Sequence, residues 1–128
     1  MPLLAMVYAH SRSLAMRNRI EKFIPIAIET IKKVGIAHKD GVVPKQFNGY
    51  ISSFAASIRQ AGLLATILFY GNTNSNAEED RKKVIDAIEE IIGKPLIKDN
   101  RLNNVNRDEI EDAATALKLA VRTYKLQE

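Results

Sequence analysis

The sequence predicts an all-α protein, a compact helical bundle of about four to six helices. Three observations carry that prediction. Four segments place apolar residues at spacings of three and four, the mark of helices with one buried face. No segment sustains the alternation of a half-buried strand. Polar stretches between the segments end in helix-cap signatures, Asn76 with Glu79 and Asn106 with Glu109.

The first helix is expected from about Ser11 to Gly35, with Ile20, Phe23, Ile24, Ala27, Ile31 and Val34 on one face. Pro25 lies inside it, removes one backbone donor, and is expected to kink or split it. A loop follows, from Gly35 to Pro44. The second helix is expected from about Lys45 to Tyr70, capped by Gly71, with Phe47, Tyr50, Ile51, Phe54, Ile58, Ala65, Leu68 and Phe69 in one stripe. Beyond Gly62 a second stripe appears on the opposite side, Leu63, Ile67 and Tyr70. A helix apolar on both sides is either covered by a neighbouring chain or buried against its own bundle, here the last helix. The third helix, about Ala77 to Ile92, buries Val84, Ile85, Ile88, Ile91 and Ile92 and stops at Gly93 and Pro95. Residues 94 to 105 form an Asn-rich connection with one short helical turn. The last helix starts after Asn106 and buries Ile110, Ala113, Leu117, Val121 and Tyr124.

A chain of 128 residues fits a single helical domain, 1–128, with residues 1–10 as a loose N-terminal arm. The absence of cysteine removes disulfides, thiolate zinc sites and thiol nucleophiles together. The longest apolar run, Ala61 to Tyr70, is about half a membrane span, so no membrane partner is expected. The first cation, Arg12, follows the apolar start rather than preceding it, the wrong order for a secretory signal. A cytoplasmic protein is the default.

Chemistry has few candidates. His10 and His38 are the only histidines, and nothing in the sequence arranges a triad or metal shell around either. No Gly-rich phosphate loop occurs. The stretch Asp99 to Glu109 is oxygen-rich but lacks the central Gly and alternating acids of a calcium loop. The glutamates fall on caps or polar faces. No catalytic residue, metal, cofactor or small-molecule substrate is therefore assigned.

Net charge is +4, and its distribution is uneven. Residues 1 to 71 carry nine Lys or Arg against three acids, whereas residues 72 to 128 carry ten against twelve. On an ideal helix Arg12, Arg19, Lys22 and Lys33 project within about 80° of one another. Lys118, Arg122 and Lys125 form a second short stripe, and Arg59 stands alone on the polar side of the second helix. Such stripes serve either as solvated faces or as contacts to phosphates. With no interleaved exposed aromatics they would hold a backbone rather than read bases. About three or four phosphate contacts would give a log-log salt slope near −2 to −3.

The order Phe47, Ile58, Gly62-Leu63-Leu64, Thr66 and Phe69 resembles the signature helix of the small helical subunit of type III-B CRISPR effector complexes, the Cmr complexes. Ala55 and Ala61 stand where that family commonly has Pro and a polar residue, and this chain lacks the Trp often found in the family's last helix. The resemblance implies a non-catalytic subunit that stacks beside the repeated backbone subunits. It also implies partners: the backbone subunit, the large subunit, copies of itself, and target RNA or its duplex with crRNA. Nuclease and cyclase activities would belong to other subunits. Arg12, Arg19, Lys22, Lys33, Arg59, Lys118, Arg122 and Lys125 are then the candidate RNA contacts, and Leu63, Ile67 and Tyr70 the candidate partner interface. Two other classes compete: a helical adaptor that binds only protein, and a small helical ribonuclease. Neither histidine completes the motif of Arg, four to six residues, then His expected of ribonucleases resembling nucleotide-binding toxins: Ile31, Lys32 and Lys33 stand at those positions before His38.

Overall fold

The structure is a computed structural model that describes the backbone of residues 3–71 and 76–126 and the side chains of residues 14–71 and 79–126. Five helices form the bundle: α1 (Leu3–Lys33), α2 (Gln46–Ala61), α3 (Leu63–Gly71), α4 (Asn76–Ile92) and α5 (Arg107–Val121). Four two-residue strands accompany them: β1 (Val42–Val43), β2 (Ile97–Lys98), β3 (Arg101–Leu102) and β4 (Lys125–Leu126). The helical class predicted from periodicity is the observed one, and the strands are additions that periodicity did not signal.

Helix α1 begins at Leu3, within the segment expected to be an arm, and continues through Pro25 to Lys33. It ends where Gly35 enters the left-handed region at φ 83°. There Gly35 N–H donates to Lys32 O and Ile36 N–H to Ile31 O at 3.0 Å, the paired bonds of a Schellman cap. Ile31 and Ile36 are both fully buried, so the cap also carries its apolar contact. The main packing partner of α1 is α5, with α4 beside it; α2 packs on α5, and α3 lies against α2 and α4.

At the start of α5 the Asn106 side chain accepts from Glu109 N–H at 3.1 Å, as the cap signature predicts. The corresponding side chain of Asn76 lies outside the described residues. Helix α5 buries the predicted Ile110, Ala113, Leu117 and Val121, together with Ala114, Ala116 and Ala120. Its alanines let it sit in the middle of the bundle. Tyr124 is half-buried, and its hydroxyl donates to Ile28 O of α1 at 2.5 Å.

The expected single helix from Lys45 to Tyr70 is two. Gly62 adopts φ 94° and ψ 163°, a backbone region open essentially to glycine, and its N–H closes α2 on Ile58 O. Helix α3 ends at Gly71, where the stop is expected, though without a positive φ; the unexpected break lies at Gly62. The turn changes which residues face inward. Phe47, Ile51, Phe54 and Ile58 are buried on α2 as expected, but on α3 the buried residues are Thr66, Ile67 and Tyr70. Leu64, Leu68 and Phe69 face out, with Phe69 55 % exposed.

The connection after α4 is a hairpin, not a helical turn. Gly93 at φ 90° ends α4, and β2 pairs antiparallel with β3 around Asp99 and Asn100, both at positive φ. Two consecutive left-handed residues define a type I′ turn, which Asn and Asp tolerate. Glu89 anchors the segment by accepting from Leu96 N–H at 2.8 Å. Strand β4 pairs in parallel with β1, Val42 opposite Lys125 and Val43 opposite Leu126.

Candidate nucleic-acid interface

The candidate cations part into two groups. On α1, Arg19 donates from its guanidinium to Asp112 of α5 at 2.9 Å, and the Asp112 side chain is only 6 % exposed. Burial pushes the Asp112 carboxyl above its ordinary value; Arg19 opposes the shift, and Asp108 and Glu111 add to it. A cleft of about 130 Å³ beside the pair is lined by Arg19, Asp108, Glu111 and Asp112, so acids of α5 lie along this part of the expected ridge. Lys33 pairs with Glu90 of α4 at 2.9 Å. Lys22 is exposed and makes no ion pair with a described residue. The side chain of Arg12 lies outside the described residues. The ridge along α1 is thus partly neutralised by the chain's own acids, Arg19 by a buried carboxylate of α5 and Lys33 by an exposed one of α4.

The second group converges. Ser52, Ala55 and Arg59 of α2 follow the i, i+3, i+7 spacing that puts residues on one helix face. Thr115, Lys118 and Arg122 at the end of α5 follow the same spacing. The two faces meet across a groove of about 490 Å³ that all six residues line. Ala114 lines it as well, and with Ala55 leaves the space open between the helices. No carboxylate lines this groove, and none of its three cations pairs with a described acid. Arg59 and Lys118 also lie in the last turns of their helices, where a cation complements the helix dipole. Arg59, which stands alone in the sequence, gains two cationic neighbours from a helix more than fifty residues away. Periodicity relates residues of one helix only, and no signal in the sequence links Arg59 to Lys118. Lys125 sits apart on β4 and is exposed.

The trio expected at a partner interface turns inward. Ile67 and Tyr70 are each 3 % exposed, and Leu63 packs against the core. Tyr70 stacks edge-on against Phe54 at 5.1 Å between ring centroids and donates its hydroxyl to Tyr50 O at 2.8 Å. Burial raises the Tyr70 phenol above its ordinary pKa, with Arg81 lowering it in part. The cover is the neighbouring helices α2 and α4, not the last helix. The outward residues of α3 are instead Leu64, Leu68 and Phe69, and Arg81 of α4 stacks on Phe69 at 5.1 Å and on Tyr50 at 5.8 Å.

Among the described residues no group of three or more His, Cys, Asp or Glu could hold a metal ion. No described helix is long and apolar enough to cross a membrane. His38 is exposed in the loop before β1, and His10 lies outside the described side chains.

Fold and surface together define a small helical bundle with a cationic groove on one side and an uncharged apolar helix face exposed on another. Such an architecture suits a subunit of a larger assembly. The chain belongs to the CRISPR-associated protein (Cas_Cmr5) family, whose model matches residues 19–126. It is a small, helical CRISPR-associated subunit of the Cmr5 type, as the Gly62-Leu63-Leu64 helix suggests. A search of the curated proteins and a search of the solved structures each found no match.

Proposed function

We propose that this chain is a non-catalytic subunit of a cytoplasmic type III-B CRISPR complex that holds target RNA, paired with crRNA, by its backbone through the α2–α5 groove. One observation carries the reading: Arg59, Lys118 and Arg122 come from two helices into one groove that no carboxylate lines. Three cations without neutralising acids attract phosphate, and without an aromatic among them they position a strand whatever its sequence. Lys22 and Lys125 are exposed outside the groove, whereas Arg19 and Lys33 are engaged in ion pairs within the chain.

Charge reversal tests it. Arg59→Glu, Lys118→Glu and Arg122→Glu together lower RNA retention by the assembled complex and reduce the log-log salt slope by about 2. Retention and slope equal to those of the unaltered complex would remove the RNA assignment.

The adaptor reading has an observation of its own, the exposed Leu64, Leu68 and Phe69. The two readings combine in one subunit: α3 packs against the backbone subunits, the large subunit or another copy of this chain, while the groove on the α2–α5 side meets RNA. Under an adaptor without nucleic-acid contact, charge reversal in the groove leaves RNA retention level.

A further inference from the structure

The α2–α5 groove holds two hydroxyls besides its three cations, and their hydrogen bonds decide what they present. Ser52 Oγ donates to Asn48 O at 3.0 Å, and Thr115 Oγ1 donates to Glu111 O at 3.0 Å. A hydroxyl has one proton to donate and two lone pairs. Both protons are committed to carbonyls one turn back along their own helices, so each oxygen offers the groove acceptor capacity only. Each lies seven residues before a guanidinium on its helix, Ser52 before Arg59 and Thr115 before Arg122, a separation of about 10 Å along the axis. The groove therefore carries donors that suit phosphate oxygens and, two helical turns away, acceptors that suit a hydroxyl donor.

A ligand with anionic acceptors and hydroxyl donors alternating along one chain matches that pattern. The ribose-phosphate backbone has both, and the 2′-hydroxyl is the group deoxyribose lacks. We propose that Ser52 and Thr115 accept hydrogen bonds from ribose 2′-hydroxyls and make the groove select RNA over DNA. The inference rests on the reading of the groove as a backbone-binding site and adds to it the residues that discriminate the sugar. The cations alone would hold either nucleic acid.

The test compares three fluorescein-labelled 15-mers of the same base sequence, oligouridine, its 2′-O-methyl form and oligodeoxyuridine, with the purified full-length chain in about 50 mM salt, where backbone contacts are strongest. Oligouridine is expected to bind about tenfold tighter than the deoxy strand, the size of two modest hydrogen bonds. The 2′-O-methyl strand keeps the ribose oxygen but has no proton to give, and is expected to bind like DNA. Ser52→Ala with Thr115→Val removes both acceptors without touching a charge; it lowers RNA affinity to the DNA level and leaves DNA affinity unchanged. Equal binding of all three strands, or a preference for RNA that survives in the double variant, overturns the inference. If all three bind equally and the Arg59, Lys118 and Arg122 reversals weaken each alike, the backbone-binding reading stands without the sugar selection. If no strand binds, or the reversals change nothing, the sugar selection falls, and the backbone-binding reading is decided by RNA retention in the assembled complex.

Discussion

Arg19 on α1 and Asp112 on α5, 93 positions apart in sequence, share a hydrogen bond of 2.9 Å that ties the two main packing helices together. The members of the pair are unequal: the arginine side chain is 35 % exposed and the aspartate side chain 6 %. Removing the arginine strands a carboxylate in the core, whereas removing the carboxylate leaves a guanidinium that water can reach.

Arg19→Ala is therefore expected to cost about 2 kcal/mol, and Asp112→Asn less than about 1 kcal/mol. Thermal melts should show the first as a drop of roughly 5 to 10 °C and the second as a few degrees at most. Equal losses would mean that the carboxylate is better solvated than its burial indicates.

The same carboxylate sets a pH dependence. Its pKa in the fold is raised by burial, so between the unfolded and folded values the native chain keeps a proton the unfolded chain has lost. Folding stability from this group is greatest below the unfolded value, falls as pH rises through the window, and levels off above the folded value. Relative to Asp112→Asn, the unaltered chain is expected to lose stability in urea titrations as pH rises from the ordinary aspartate value of about 3.9 through the raised value in the fold, a range set by burial. A relative gain over that range would show that attraction to Arg19 outweighs desolvation.

Two glycines should respond in opposite directions to alanine. At Gly62 a Cβ has open space but the backbone stands at φ 94°, so Gly62→Ala costs about 1 to 3 kcal/mol through strain alone. Gly49 lies inside α2 with no positive φ and nothing within 4 Å of a Cβ, so Gly49→Ala gains about 0.5 to 1 kcal/mol. Chemical denaturation of the two variants side by side checks both signs.

The outer face of α3 should tolerate charge in the isolated chain. Leu68→Glu with Phe69→Glu is expected to shift stability by less than about 1 kcal/mol, while Ile67→Ala costs about 2 to 5 kcal/mol. Reconstitution with the other subunits of the complex should fail for the double variant. Normal assembly would take the subunit contact away from this face.

The legible parts of the molecule were those with a single solution. Asn106 and Glu109 mark the start of α5, and its apolar positions repeat at one phase only, so the buried face followed directly. Helix α2 was readable as far as Ile58 for the same reason. Between Leu63 and Tyr70 nearly every residue is apolar, so periodicity could not choose a phase, and a lone glycine in a helical pattern gave no warning of a break. Leu63, Ile67 and Tyr70 therefore stay open in the sequence to cover by a neighbour or by their own bundle, and the structure places them against α2 and α4. The β2–β3 hairpin escaped because two-residue strands are too short to alternate, although Asp99-Asn100 is a pair that suits its turn. The groove was half visible: the Lys118 and Arg122 spacing could be read, but the approach of Arg59 is a tertiary fact.

The dominance of the α1–α5 contact bears on how the molecule is made. While a ribosome is still adding residues, α1 has emerged but its chief packing partner has not, and Phe23, Ala27 and Ile31 have nowhere to hide. Closure waits for synthesis of α5, and such sequence-distant docking is slow compared with pairing of adjacent helices. The apolar side of α1 thus stays uncovered during synthesis for as long as α5 is still to be made.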